Sequence, residues 1–193
     1  MIAPARFVSP VIPINANTFD AAVRSWIVAF QTPTGLEIAA FVSRVGSVGP
    51  MRWVGMLAAV FFFARGRGRA TISLAAAPWL AWAAYAGVRR VFPRVRPPGA
   101  AGYHEASSSF PSAHATTSSA VCCTLAYIAW REEMLSGRAA VAVAVIPPLL
   151  IGLSRLYLDV HWPTDVLGGW FAGGGVAAIC GVIYRLWPNR AEQ

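Results

Sequence analysis

The chain reads as an all-α, polytopic membrane bundle of five to six transmembrane helices, folded as one domain over residues 1–193. Three observations carry that reading. Only 12% of the residues are charged, about half the share usual in a soluble domain, while 56% are hydrophobic. Several uncharged runs approach the roughly 20 apolar residues, at about 1.5 Å of rise each, that a bilayer crossing takes. The remaining charges gather in short segments between those runs.

The elements follow in order. Residues 1–17 lack a basic stretch followed by an apolar one, so no cleaved signal peptide is expected. Segment 19–48 carries Asp20, Arg24, Glu37 and Arg44 and is interrupted by Thr32-Pro33-Thr34-Gly35. It reads either as one kinked span or as two amphipathic helices lying in the membrane interface. The first reading is preferred and gives six spans. Five further spans are expected at about 50–64, 70–92, 112–130, 139–158 and 163–187. Pro78 and Pro147-Pro148 should kink theirs, which membrane helices tolerate. Glycines 168, 169, 173, 174 and 175 make the last span suited to close packing. Cys122, Cys123 and Cys180 fall inside spans without metal-site spacing and read as small packing residues, not a disulfide framework.

The net charge of +8 would suggest nucleic acid as a partner in a soluble protein. Here the positive charges lie mostly in short loops between spans, so no nucleic-acid partner is expected. All 16 basic residues are Arg, which reads as compositional bias. Alternating span direction puts the end of 70–92, the start of 112–130, the end of 139–158 and the start of 163–187 on one side. Arg65, Arg67, Arg69, Arg131, Arg138, Arg185 and Arg190 lie on the other side. The first side holds Arg44, Arg52, Arg89, Arg90, Arg94, Arg96 and Arg155, so the raw count ties. If chemistry keeps Arg89, Arg96 and Arg155 in place, the positive-inside rule makes the 65–69 loop cytoplasmic and the other face external.

Three motifs converge on that face: Arg89 with Arg96-Pro97; Pro111-Ser112-Ala113-His114; and Ser154-Arg155 with His161 and Asp165. Ionisable residues beside a membrane span are costly and read as functional. Ser112 suits an N-cap, and the free N–H groups of the first turn, at Ala113 and His114, form an anion site with the helix dipole. Arg89, Arg96 and Arg155 can add bidentate contacts to phosphate oxygens. Pro163 starts the last helix, placing Asp165 in its first turn, where it can hold one ring nitrogen of His161 and leave the other to attack.

These motifs resemble the signature of the type 2 phosphatidic acid phosphatase superfamily: Lys, six residues, Arg-Pro; Pro-Ser-Gly-His; and Ser-Arg, five residues, His, three residues, Asp. The resemblance implies a lipid phosphate or pyrophosphate phosphatase without a metal or other cofactor. His161 would form a phosphohistidine, Asp165 would orient it, and His114 would protonate the leaving group and then activate water. Arg89, Arg96, Arg155, Ser112 and the Ala113 backbone would bind phosphate. Two positions depart from the pattern: Ala113 stands for Gly, and Arg89 for Lys.

Other charged residues have plainer readings. Arg90 and Arg94 read as snorkelling or headgroup-contacting residues, and His104 and Glu105 as parts of a solvated loop. Trp79, Trp82, Trp162, Trp170 and Trp187 read as interface anchors and core. The expected partners are membrane lipids and a lipid phosphate substrate; no oligomeric state is marked in the chain. The expected location is a bacterial inner membrane, with the site facing the periplasm or exterior. Polyprenyl pyrophosphates, phosphatidylglycerol phosphate, phosphatidic acid and lipid A phosphates all fit. The alternatives are a lipid-phosphate binding or transport protein that keeps only the anion site, and a vanadium haloperoxidase, against which the spans argue.

Overall fold

A computed structural model describes residues 16–99 and 108–187 as seven α-helices. They are α1 (Thr18–Ala29), α2 (Pro33–Val45), α3 (Val48–Ala64), α4 (Gly68–Val91), α5 (Ala113–Arg131), α6 (Gly137–Tyr157) and α7 (Pro163–Leu186). The last five follow the five expected spans closely. Residues 1–15, and His104, Glu105 and Arg190, lie outside the described residues.

Segment 19–48 is two helices, not one kinked span. Asn17 caps α1, its side chain accepting the Asp20 N–H at 2.8 Å, and Thr32 caps α2 ahead of Pro33. Neither helix is long enough to cross a bilayer, since 12 and 13 residues rise well short of the roughly 30 Å hydrocarbon core. The helix α2 meets α3 at a 44° bend, and the pair together could pass as one broken span.

By length and hydropathy, α4, α6 and α7 qualify as membrane spans, and the bent α2–α3 pair would make a fourth. The sequence suggested five to six. The difference has a physical cause in α5, which packs against α3, α4, α6 and α7 and so faces protein on most sides. A helix shielded from lipid can carry hydroxyls, and Thr116, Thr117, Ser118, Ser119 and Thr124 are all buried within it. Helix α3, at 17 residues, stands at the lower end of the crossing lengths.

The outer helices turn large apolar side chains outward, among them Trp53, Phe63, Val141 and Phe171, while small residues fill part of their packed faces. Ala77, Ala81, Ala120, Val176 and Cys180 form one such buried cluster between α4, α5 and α7. Gly169 and Gly173 let α7 close on α5: a Cβ on Gly169 would lie 2.7 Å from Ala115 Cβ and 2.8 Å from the Ser112 carbonyl oxygen. Helices α4 and α6 continue through Pro78 and Pro147-Pro148, and Trp170 Nε1–H donates to the Pro148 carbonyl at 3.0 Å.

Candidate active site

Four helix ends meet where the chain alternation predicts: the end of α4, the start of α5, the end of α6 and the start of α7. The Ser112 N–H donates to the Asp165 carbonyl at 3.0 Å, tying the first turns of α5 and α7 together. Beside this junction lies a cavity of about 290 Å³, lined by Arg96, His114 and Arg155 and, from α2 and its C-terminal turn, by Ala40, Ser43, Arg44 and Ser47. Arg155 is buried and donates to Ser43 Oγ at 2.5 Å.

His161 is 5% exposed and sits in the five-residue turn between α6 and α7. Its Nδ1 faces Asp165 Oδ2 at 3.4 Å, and its Nε2 faces Arg96 Nη1 at 3.3 Å. A guanidinium can only donate, so Nε2 presents its lone pair there and the ring proton belongs on Nδ1, toward Asp165. Arg96 Nη1 also donates to the Val160 carbonyl at 2.8 Å, which fixes the guanidinium beside the ring. Burial pulls the His161 pKa below its ordinary 6.5; the Asp165 hydrogen bond opposes this, and Arg155 and Arg96 reinforce it. The imidazole is therefore neutral near pH 7, as a nucleophile must be.

Asp165 is fully buried as the third residue of α7, where its Oδ2 also reaches back to accept the Trp162 N–H at 2.9 Å. Its other oxygen, Oδ1, accepts Arg94 Nη1 at 2.6 Å. Arg94 is not a snorkelling residue. It is 4% exposed, lies 5.7 Å from the Trp162 ring centroid, and bridges Asp165 to Asp20 of α1. A cation at that depth needs carboxylates around it, and two are supplied.

Asp20 is itself fully buried. It accepts the Thr164 N–H at 2.9 Å on Oδ1, and the Thr164 hydroxyl at 2.8 Å and Arg94 Nη2 on Oδ2. Burial would raise its pKa, but the Thr164 N–H, Arg94 and the Thr164 hydroxyl outweigh burial and hold the carboxyl below its usual range. A second tie runs from α1 to the turn: Arg24 Nε and Nη2 grip the two oxygens of Asp159 at 2.7 and 2.6 Å. Asp159 has φ of 53°, a left-handed conformation that aspartate tolerates better than most residues, and Gly99 packs so close that a Cβ there would overlap its carboxylate. Tyr157 extends the seam, its hydroxyl accepting the Thr32 N–H at 2.9 Å, while Gln31 Nε2 donates to the Tyr157 carbonyl at 2.6 Å.

The structure thus brings together Arg96, Ser112, Ala113, His114, Arg155, His161 and Asp165. Ser112 is the N-cap of α5 by backbone conformation, but its hydroxyl makes no capping hydrogen bond. That Oγ is buried without a partner among the described residues, a donor placed for an added acceptor. Ala113 opens the helix without a positive φ, so the glycine of the family pattern is not required there. Arg89 is not brought to the cavity lining; it donates to the Tyr85 hydroxyl at 2.7 Å on its own helix. Sequence reasoning missed Asp20, Arg24, Arg94 and Asp159 as parts of the site's support. The available signal was chemical: carboxylates beside apolar runs on one face demand cations.

A bundle of apolar helices whose polar ends carry a cavity lined by His114, Arg96 and Arg155, with the His161–Asp165 pair beside Arg96, is the arrangement to set against known membrane proteins. The profile of the PAP2 superfamily matches residues 93–190, about half of the chain, and the chain belongs to that superfamily. The crystal structure of a transmembrane PAP2-type phosphatidylglycerolphosphate phosphatase from Bacillus subtilis superposes with a TM-score of 0.72 at 26% identity, over 89% of this chain and 87% of that one. This is a multi-pass membrane protein. Among curated proteins, phosphatidylglycerophosphatase B of Bacillus subtilis is 40% identical over 83 residues, covering 42% of this chain and 41% of the relative. The putative undecaprenyl-diphosphatase of Escherichia coli is 42% identical over 71 residues, covering 37% and 32%. The decaprenylphosphoryl-5-phosphoribose phosphatase of Mycolicibacterium smegmatis is 38% identical over 121 residues, covering 61% and 62%. Each match therefore takes in less than two thirds of the relative's length.

Proposed function

We propose that this chain is a phosphatase of lipid phosphates or lipid pyrophosphates that works through a phosphohistidine. The observation that carries the reading is the His161 ring, with Nδ1 on Asp165 and Nε2 beside Arg96 at the edge of a cavity that Arg155 and His114 share. Nε2 attacks phosphorus, and the bond from phosphorus to the lipid-side oxygen breaks. His114 supplies the proton that this oxygen takes up. Water then attacks the phosphoimidazole, gives its proton to His114 and releases phosphate, which returns Nε2 to its starting state. Arg96, Arg155, Ser112 Oγ and the first turn of α5 neutralise the oxygens, a role that needs no metal. Arg89 would join them by turning from Tyr85 toward bound substrate.

Five crossings, by α3 to α7, suit this reading, with α1 and α2 lying over the site at the membrane surface. Helix α1 favours that placement: Phe19, Trp26 and Phe30 are exposed, while Asp20 faces the site. With Arg89, Arg96 and Arg155 set aside as phosphate ligands, the arginine distribution favours an inner membrane with the site on the external face. Relatives named for phosphatidylglycerophosphate and undecaprenyl diphosphate support a phospholipid phosphate or polyprenyl pyrophosphate as substrate.

The test is phosphate release by the purified chain from a panel of lipid phosphates and pyrophosphates with a chelator present, for wild type and His161→Ala. Release by the wild type that is lost in the variant is expected. Binding of lipid phosphates without release would favour the alternative, a carrier that keeps only the anion site.

A further inference from the structure

We propose that Asp20 of α1 is a positioning residue for the His161–Asp165 pair, acting through Arg94 and Thr164. The proposal rests on the phosphatase reading above. It concerns a residue 145 positions from Asp165 and outside the matched region 93–190.

The first argument is charge. Asp165 and Arg94 alone would form a neutral buried pair, with little field left for a cationic imidazole. Asp20 adds a second carboxylate to the same guanidinium, so the cluster Asp20–Arg94–Asp165 carries one net negative charge. His161 becomes positively charged when Nε2 forms its bond to phosphorus, and the buried cluster offsets that charge. Without the Asp20 charge the cluster falls to zero.

The second argument is geometry. Thr164 is the residue before Asp165, and Asp20 holds it twice, through the backbone N–H at 2.9 Å and the hydroxyl at 2.8 Å. A carboxylate on a first-turn N–H also satisfies an orphan donor of α7 and complements the helix dipole. The Thr164 hydroxyl accepts Arg94 Nη1 at 2.7 Å, and the same nitrogen grips Asp165 Oδ1. With Oδ1 engaged, Oδ2 remains for the Trp162 N–H and the His161 ring. Asp20 therefore sets the direction in which Asp165 faces. Asp20 is not among the residues that line the cavity.

The experiment compares kcat and KM of the detergent-solubilised full chain for wild type, Asp20→Asn, Asp165→Asn and the double variant. Asp20→Asn should lower kcat by about 10–100-fold, the usual effect of losing an outer partner, with KM nearly unchanged. In the Asp165→Asn background it should cost nothing further, because both act through one carboxylate. An undiminished kcat, or the same loss repeated in the double variant, overturns the proposal. If Asp20→Asn does not accumulate, Thr164→Val removes the hydroxyl link at constant size and is read in the same way.

A second measurement needs no turnover. The chain has 3 histidines, so nitrogen-15 spectra of labelled histidine can be assigned with His161→Gln. Wild type should show one His161 tautomer, protonated on Nδ1, and Asp20→Asn a mixture. An identical His161 signal in both overturns the proposal even if the substrate class was wrongly chosen. Absence of phosphate release by the wild type overturns the phosphatase reading instead.

Discussion

Ser112 and Asp165 are joined through the backbone, the amide of one on the carbonyl of the other at 3.0 Å. This single bond sets the first turn of α5 against the helix that carries the carboxylate. Its setting is the glycine face of α7, where Gly169 and Gly173 abut the first turns of α5. The spacing between the two histidines depends on that contact.

Gly169→Ala places a methyl against Ala115 Cβ and the Ser112 carbonyl oxygen. Overpacking of this kind costs about 1–3 kcal/mol. The expected result is a lower melting temperature together with a fall in phosphate release. Gly174→Ala, whose Cβ meets nothing within 4 Å, should leave both unchanged.

Asp165→Asn should lower kcat by about three to four powers of ten, the scale seen when the partner of a catalytic histidine no longer selects its tautomer. The amide can offer an N–H to Nδ1, which places the ring proton on Nε2 and blocks attack. Steady-state kinetics read the effect, and a loss under tenfold would contradict the role.

The pH profile has a definite sign. Protonation of His161 removes the nucleophile, so activity falls on the acid side with the free-enzyme pKa of that ring. Because this pKa is lowered from 6.5, the acid limb of kcat/KM should lie below 6.5 and activity should persist in mildly acidic buffer. An acid limb centred above 6.5 would speak against a neutral buried His161.

Asp159→Asn keeps a residue tolerant of φ 53° but weakens the grip of Arg24. Charged hydrogen bonds are worth about 1.5–3 kcal/mol when well formed, less where one partner is part-exposed, as Arg24 is. A modest drop in melting temperature is expected, matched by Arg24→Gln and not doubled in the pair. Asp159→Val should cost more, because a β-branched residue resists that φ.

The five long helices, and the motifs whose seven residues the structure brings together, could be read from the chain because their signals are local. An apolar run marks its own length, and Ser154-Arg155, His161 and Asp165 keep fixed spacing across the junction of α6 and α7. Arg94 was misread for the opposite reason. It stands among Arg89, Arg90 and Arg96 at the end of a span, where a cation ordinarily reaches for headgroups. Its two carboxylates lie 74 and 71 positions away, and no local pattern announces them. Helix α5 was recognised as a helix, yet its hydroxyl-rich face makes sense only once four neighbours surround it.

The Asp20–Arg94 pair has a consequence for how such a domain is delimited. A boundary drawn by sequence similarity at residue 93 passes through a buried ion pair, leaving one carboxylate on the far side of the cut. A chimera that joins 93–190 to another chain's leading helices would inherit the arginine without its counter-charge. The leading helix and the signature motifs are therefore a single inheritance, exchangeable together and faulty apart.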